Sequence, residues 1–252
     1  MRADGSGNRN LTRNRASDDF PTWSPDGQRI AFLRAPLLSN RPADSLGVHR
    51  IYIYHLYVVN ADGSGLRRLT RNWTYPGQVK QVVWSPDGRT IYFGRYVVST
   101  DGSGARRLPY IPLTAVWSPD GRRIAFVNDT RVRTVGLCCR VERVDIYVMN
   151  ADGSGRRKLT HDARYNAEPA WSPDGRKIAF LSTRNGNRDI YVINADGSGK
   201  RNLTRNPAKD VRPSWSPDGR RIAFVSNREG RLEAHVMNAD GSGQRSLTLQ
   251  DS

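Results

Sequence analysis

Cysteine, lysine, histidine and long apolar runs are all scarce in this chain of 252 residues. The two cysteines, Cys138 and Cys139, are adjacent, so a mutual bridge would be strained, and without neighbouring ligands they make a poor zinc site. Free and mutually bridged thiols remain alternatives. No apolar run reaches the roughly 18 residues of a membrane-spanning helix. Because helical periodicity is absent as well, the pattern predicts an all-β chain.

Catalytic signatures are scarce too. The sequence has no G-x-S-x-G nucleophile elbow and no H-E-x-x-H zinc motif. Among the four histidines, His235 occupies a strand position filled by Tyr191 in another repeat and is predicted to pack, while His161 is predicted to be exposed. His49 and His55 lie in a long loop that could approach a pocket. We predict that the chain is not an enzyme and has no catalytic residue, cofactor or metal.

Positive charge is abundant and comes almost wholly from arginine. The formal net charge is +16, and lysine occurs at five positions. A concentrated basic stripe would suggest nucleic acid. These arginines instead recur at equivalent positions of a repeat, such as Arg67, Arg106 and Arg157. We interpret them as charges protecting solvated edge strands and expect no nucleic-acid partner.

Two short motifs recur along the chain. DGSG begins six times, and between its last two copies the period is 44 residues. A period of this size with four short strands is typical of a propeller blade. WSPDG begins at Trp23, Trp84, Trp117, Trp171 and Trp215.

One repeat shows the predicted plan of a blade. Strands are predicted at Ala167–Trp171, Lys177–Leu181, Ile190–Asn194 and Lys200–Thr204, with SPDG and DGSG supplying the tight turns between them. The whole chain is predicted to be one domain, a β-propeller of four-stranded antiparallel blades with five full repeats and an N-terminal partial repeat. The predicted partial blade spans 1–12, and the full blades span 17–70, 76–109, 112–160, 166–204 and 210–248.

The repeats differ between their second and third strands. This connection is predicted to be a long loop at 34–55 and again at 128–145, whereas at Gly94 the chain turns directly into the next strand. Loops on a rigid scaffold commonly build binding sites. A longer hairpin without a binding role is the alternative.

The N-terminal residues match the end of a repeat. Met1–Gly7 aligns with Met149–Gly155, so the first strands of this blade are missing from the sequence. Our hypothesis is that the chain begins inside a blade of a longer product, in which case the absence of a signal peptide carries no information about export. The spare strand closing the ring is the alternative.

The motifs WSPDG, IAF, NADGSG and LT together resemble the TolB-type β-propeller repeat, over nearly the whole length. The resemblance is to this repeat family and not to TolB itself, because the α/β domain that accompanies the propeller there has no counterpart in these residues. It implies a six-bladed family fold, a place in the bacterial periplasm or outside the cell, and a role in protein binding. Related repeats also accompany serine peptidases of the prolyl-oligopeptidase type.

Residues shared by all repeats are predicted to specify turns. Asp26 and its counterparts are interpreted as backbone caps. Asn194, Asp196 and Ser198 imitate the start of a calcium loop, but the glutamate that completes such a loop is replaced by Arg205. We therefore predict a hairpin turn.

Specificity is predicted where the repeats disagree. Three residues before each WSPDG tryptophan, different side chains would face the mouth of the channel, and a solvated rim is the alternative. Arginine and aromatic side chains are common at binding hot spots. The predicted partner-binding residues are Phe20, Lys80, Glu168 and Arg212 beside the first strands, His49, Tyr52 and Tyr54 in the first loop, and Arg131 and Arg133 in the other.

These features predict a non-enzymatic scaffold that docks a protein or peptide in the bacterial envelope, with any membrane association indirect. The alternative is a propeller that serves a serine peptidase or a glycan-active enzyme whose catalytic domain lies outside these residues.

Overall fold

A computed structural model describes residues 10–13, 16–35, 54–70, 81–94, 96–108, 114–135, 138–161, 165–184 and 186–247. Within these residues the structure is all-β, with five four-stranded antiparallel sheets whose strands follow one another in chain order. The described residues include no helix long and apolar enough to cross a membrane. The all-β prediction and the four-stranded blade are confirmed. The chain forms two compact units, Met1–Pro109 and Tyr110–Ser252.

The first unit contains two blades. Blade 1 consists of β1 (Ser17–Trp23), β2 (Arg29–Ala35), β3 (His55–Asn60) and β4 (Arg67–Arg68). Blade 2 consists of β5 (Val82–Trp84), β6 (Thr90–Phe93), β7 (Tyr96–Ser99) and β8 (Arg106–Arg107). Leu33, Leu56 and Ile91 are fully buried where the two blades face each other.

The second unit contains three blades. Blade 3 consists of β9 (Thr114–Trp117), β10 (Arg123–Val135), β11 (Cys138–Asn150) and β12 (Arg157–Lys158). Blade 4 consists of β13 (Asn166–Trp171), β14 (Lys177–Ser182), β15 (Asp189–Asn194) and β16 (Arg201–Asn202). Blade 5 consists of β17 (Asp210–Trp215), β18 (Arg221–Ser226), β19 (Glu233–Asn238) and β20 (Arg245–Ser246).

The WSPDG motif holds the turn between the first two strands of each blade. In blade 4 the Ser172 hydroxyl donates to Asp174 Oδ1 at 2.6 Å and accepts the backbone N–H of Lys177 at 2.9 Å. Asp174 also accepts the N–H of Arg176, so the aspartate caps the turn as predicted. Gly175 completes it at a φ of +67°, a conformation that glycine adopts without a Cβ clash.

The DGSG motif holds the next turn in a similar way. Asp196 Oδ1 accepts both the N–H and the hydroxyl of Ser198, at 2.9 and 2.6 Å, and Asn194 donates its amide to the same hydroxyl. The aspartate oxygen is therefore occupied by turn donors, as an Asx-type turn requires. The prediction of a hairpin turn is confirmed.

Tryptophan and arginine join neighbouring blades within each unit. The indole N–H of Trp215 donates to the carbonyl of Ala170 in the preceding blade at 3.1 Å, and Trp171 bonds Val116 in the same way. Arg157 donates to the carbonyls of Ala195 and Asp196 in the following blade at 2.7 and 2.6 Å. The repeat arginines are exposed, as predicted. Some of them also cross-link neighbouring blades, which the interpretation as charges that protect edge strands did not predict.

The connection between the second and third strands of blade 3 corrects one prediction. Residues 128–135 and 138–145 are not a loop, because β10 and β11 continue there as paired strands, with Asn128 opposite Asp145 and Val135 opposite Cys138. The β-branched residues spaced along this segment favour an extended conformation. The long hairpin, stated above as the alternative, is what forms. The direct turn after β6 is confirmed, with Gly94 at a φ of +56°.

Candidate binding surface

The first strands of three blades contain a bulge at the predicted partner-binding position. Pairing with the second strand shifts between Asp19 and Thr22 in blade 1, and equivalently in blades 4 and 5. The bulged residue has a positive φ each time, which is uncommon for residues other than glycine. These φ values are +55° for Phe20, +55° for Glu168 and +56° for Arg212.

A proline follows each of these residues, at Pro21, Pro169 and Pro213. Proline cannot donate a hydrogen bond to the neighbouring strand and is tolerated at bulges, so the X-Pro pair gives a local reason for the interrupted pairing. The left-handed conformation of the preceding residue costs about 1–3 kcal/mol. Such strain is characteristic of positions where a side chain is held for a functional purpose.

Blade 3 has no such bulge. Its first strand pairs continuously, from Thr114 opposite Val127 to Trp117 opposite Ile124, and no proline lies within it. In blade 2 the described strand β5 also pairs without a shift. The predicted residue Lys80, next to that strand, lies outside the described residues.

Two bulges of the second unit are in contact. The backbone N–H of Arg212 donates to Glu168 Oε2 at 2.6 Å. The Glu168 carboxylate is half-buried, while Arg212 is exposed. The second unit therefore presents an acidic and a basic side chain on adjacent first strands, and their role in binding stays a prediction.

In the first unit the predicted residues Phe20 and Tyr54 lie in one blade. The Phe20 ring is 42% exposed, which is unusual for so large an apolar side chain. The Tyr54 hydroxyl lies 3.5 Å from a carboxylate oxygen of Asp19, beside Phe20, and its ring packs against the core. The remaining predicted residues of the first loop, His49 and Tyr52, lie outside the described residues.

Arg131 and Arg133 lie on the β10–β11 hairpin. Their register partners on the opposite strand are Arg143 and Arg140. The two predicted residues therefore lie on a strand pair and not in the predicted loop.

Two residues, His235 and Asp210, are internal. His235 is 1% exposed and packs on Phe224 with ring centroids 5.6 Å apart, which confirms the predicted packing role. Asp210, adjacent to the bulge of blade 5, is fully buried and bonds Arg228 Nη2 at 3.1 Å. It is therefore part of the blade interior and does not contribute to an exposed rim.

A cavity on blade 4 was not predicted. It has a volume of about 720 Å³ and lies between the β14–β15 connection, β16 and the segment that leads to β17. Asp189 lines it and accepts the side-chain amides of Asn202 and Asn187 at 2.9 and 3.3 Å. Burial raises the pKa of Asp189, the amide of Asn202 partly opposes this, and the charge of Asp210 raises the pKa further.

Comparison with known proteins gives matches over most of the chain. Residues 113–252 match the sequence profile of the TolB beta propeller domain. An uncharacterized peptidase of Bacillus subtilis, YuxL, is 26% identical over 164 residues, which are 64% of this chain and 21% of that protein. The chain therefore spans about a fifth of the length of this relative.

Two solved structures illustrate the range of similar folds. TolB from Acinetobacter baumannii is 22% identical with a TM-score of 0.54, over 88% of this chain and 53% of that one. An oligogalacturonate lyase from Vibrio parahaemolyticus is 14% identical with a TM-score of 0.66, over 95% and 68% of the two chains. At these identities the likeness concerns the fold alone.

Proposed function

The chain belongs to the TolB beta propeller domain family, and we propose that it is a non-enzymatic scaffold that docks a protein or peptide partner on its first-strand bulges. The observation that supports this proposal is the repeated left-handed residue at Phe20, Glu168 and Arg212. The conformation recurs while the side chain changes from aromatic to acidic to basic. A purely structural bulge would be served best by glycine at each position.

The chemistry of these side chains suits recognition of a polypeptide. Arg212 is exposed and can form a bidentate pair with a carboxylate. Exposed aromatic and arginine side chains are frequent anchors in protein interfaces. The proposed partner is therefore a protein or peptide with an acidic residue for Arg212.

Replacement of Arg212 by glycine provides a test that separates binding from folding. Glycine removes the side chain and adopts the left-handed conformation without strain, so the free energy of unfolding should change by less than about 1 kcal/mol. A photo-crosslinking amino acid at Ser214, an exposed position on the same strand, leaves Arg212 in place and should attach the partner, identified by mass spectrometry from cells that express the protein. The same crosslinker at the exposed position of Arg220 in the same blade is the matched control.

Loss of the partner in the Arg212→Gly variant, with folding retained, would support the proposal. Equal crosslinking from positions 214 and 220 would refute it, and so would unchanged crosslinking from position 214 in the Arg212→Gly variant. The proposed location in the bacterial envelope is tested by separating periplasmic and cytoplasmic fractions of the native organism.

A second candidate function is a propeller that serves a hydrolase. The observation that favours it is the similarity to the Bacillus subtilis peptidase, of which the chain spans 21%. Under this hypothesis the crosslinked polypeptide would contain a serine hydrolase that reacts with a fluorophosphonate probe. A captured partner that does not react would favour the scaffold.

A further inference from the structure

The cavity on blade 4 has a strongly positive lining. Arg184 lies on its β14–β15 side, Lys200 and Arg201 on the β16 side, and Arg205 on the segment towards β17. Among the described residues that line it, Asp189 is the one acid. Four basic side chains on one concave surface create a positive potential that attracts anions.

The single acid does little to cancel this potential at the surface. Asp189 is 4% exposed, and both of its carboxylate oxygens already accept side-chain amides. Arg184, Arg201 and Arg205, in contrast, are exposed, and Lys200 is half-buried. An incoming anion would therefore meet the basic side chains before the buried carboxyl group.

The base of the cavity is held in place by hydrogen bonds. The Asn187 amide donates to the carbonyls of Asn206 and Ala208 at 2.7 and 2.6 Å, which ties the β14–β15 connection to the segment entering blade 5. Asn202 donates to the hydroxyl of Tyr191 at 3.3 Å in addition to Asp189. A site fixed in this way is organised before a ligand arrives, which lowers the entropic cost of binding.

The corresponding part of blade 5 differs in its charged residues. Arg228 occupies there the position of Arg184. It is bonded to Asp210 at 3.1 Å and to Gln244 at 2.9 Å, and it stacks on Phe224 with its guanidinium carbon 5.2 Å from the ring centroid. In blade 4 the counterpart of Asp210 is an amide, Asn166, so the repeat has exchanged a counter-charge for a neutral group at this position.

We propose that this cavity binds a small, multiply charged organic anion whose carboxylate or phosphate oxygens bond Arg184 and Arg205. Guanidinium groups match both kinds of oxygen in a two-pronged geometry. The volume suits a small molecule, and the polar lining suits one that is charged throughout and not apolar. The site involves none of the bulge residues and is independent of the scaffold function proposed above.

The test is isothermal titration calorimetry on the intact chain at an ionic strength of about 0.15 M, where the Debye length is about 8 Å. Citrate serves as the carboxylate probe and inorganic pyrophosphate as the phosphate probe, so the stronger heat identifies which oxygen chemistry the site prefers. We expect saturable one-to-one binding of at least one probe. The double substitution Arg184→Gln and Arg205→Gln should weaken it at least tenfold.

The matched control is Arg220→Gln with Arg245→Gln, which removes the same charge from exposed positions of blade 5. The control variant should bind within about twofold of the wild type, because distant exposed charges are screened by salt. Equal weakening in both double variants would reduce the effect to net charge and overturn the proposal. Absence of saturable heat with both probes would overturn it as well, and circular dichroism of each variant verifies folding.

Discussion

Blades 3 and 4 are built from the same repeat but treat one buried carboxylate in opposite ways. Asp145 in blade 3 and Asp189 in blade 4 both come directly before the apolar run of the third strand, and both are almost fully buried. Lys158 Nζ lies 2.7 Å from Asp145 and Arg143 Nε lies 2.9 Å from it. At the corresponding positions of blade 4, Asp189 faces the neutral amides of Asn202 and Asn187.

The two carboxyl groups consequently have pKa values shifted in opposite directions. Burial raises the pKa of Asp145, but hydrogen bonds from Lys158, Thr160 and Arg143 outweigh burial and hold it below the ordinary value. Burial also raises the pKa of Asp189, and the neutral amides do not outweigh it. The repeat therefore keeps its fold although its buried aspartate is ion-paired in blade 3 and bonded to neutral amides in blade 4. Ionisable groups with shifted pKa values are often found at functional sites.

The pairing between the first and second strands also differs between these two blades. The first strand of blade 3 pairs without interruption from Thr114, whereas that of blade 4 is bulged at Glu168. Blade 4 therefore has the less regular first strand and the buried carboxyl group without a cationic hydrogen-bond donor. The proposed anion site and part of the proposed partner surface lie in this blade.

The largest expected effect comes from removal of a cation from blade 3. Lys158→Met keeps most of the side-chain volume but leaves Asp145 buried with weaker compensation, so the free energy of unfolding at pH 7 should fall by about 2–3 kcal/mol. The matched change Asn202→Met in blade 4 removes a neutral donor and should cost about 1 kcal/mol. Urea denaturation measures both, and equal losses would contradict the contrast between the blades.

Strain at the bulge gives the next largest effect. Glu168→Val places a β-branched side chain at a positive φ and should lower the free energy of unfolding by about 1–2 kcal/mol relative to Glu168→Gly. Both variants lose the bond from the N–H of Arg212, so their difference isolates strain. Thr114→Val in the regular strand of blade 3 should change stability by less than about 0.5 kcal/mol. Thermal denaturation measures all three, and a valine tolerated equally at both positions would show that the bulge is not strained.

The turns and strands were predictable because the same short motifs recur and each acts locally. Ser172 and Asp174 form their turn within a few residues, so five copies of the motif predict five turns. The bulge itself was missed, although Glu168-Pro169 carries the local signal of a proline inside a strand. The β10–β11 hairpin entered only as the alternative to a loop, because the length of an insertion alone does not distinguish the two and the β-branched residues of this segment carry the signal for strands.

The contrast between Asp145 and Asp189 could not be predicted from the sequence in the same way. Each carboxylate meets a side chain on the neighbouring strand, Lys158 in one blade and Asn202 in the other, and this contact depends on strand register. The cavity on blade 4 needs a further tertiary contact, from Asn187 to the segment entering blade 5. Such contacts require the folded structure.

Exchange of the partners should exchange the behaviour of the two carboxyl groups. Asn202→Lys gives Asp189 a cation and should lower its pKa below the ordinary value, with a gain in stability at pH 7 of about 0.5–1 kcal/mol. The reverse change, Lys158→Asn, should raise the pKa of Asp145. Carbon-13 NMR titration of the carboxyl groups measures both shifts. If the pKa of Asp189 stays raised in the lysine variant, the amide at 202 is not the cause of the contrast.

The smallest expected effect is a difference in the pH dependence of stability between two isosteric variants. The raised pKa of Asp189 means that the folded state binds more protons than the unfolded state between the unfolded value and the folded value, so its contribution to stability falls as pH rises through that window. Asp189→Asn removes this loss, so the stability of the variant relative to the wild type should increase as pH rises. Asp145→Asn should show the opposite sign, because the lowered pKa of Asp145 stabilises the fold above the unfolded value and that contribution disappears as pH falls through the folded value. Urea midpoints collected between acidic and neutral pH test both, and parallel curves for the two variants would mean that the blades do not treat their buried carboxylates differently.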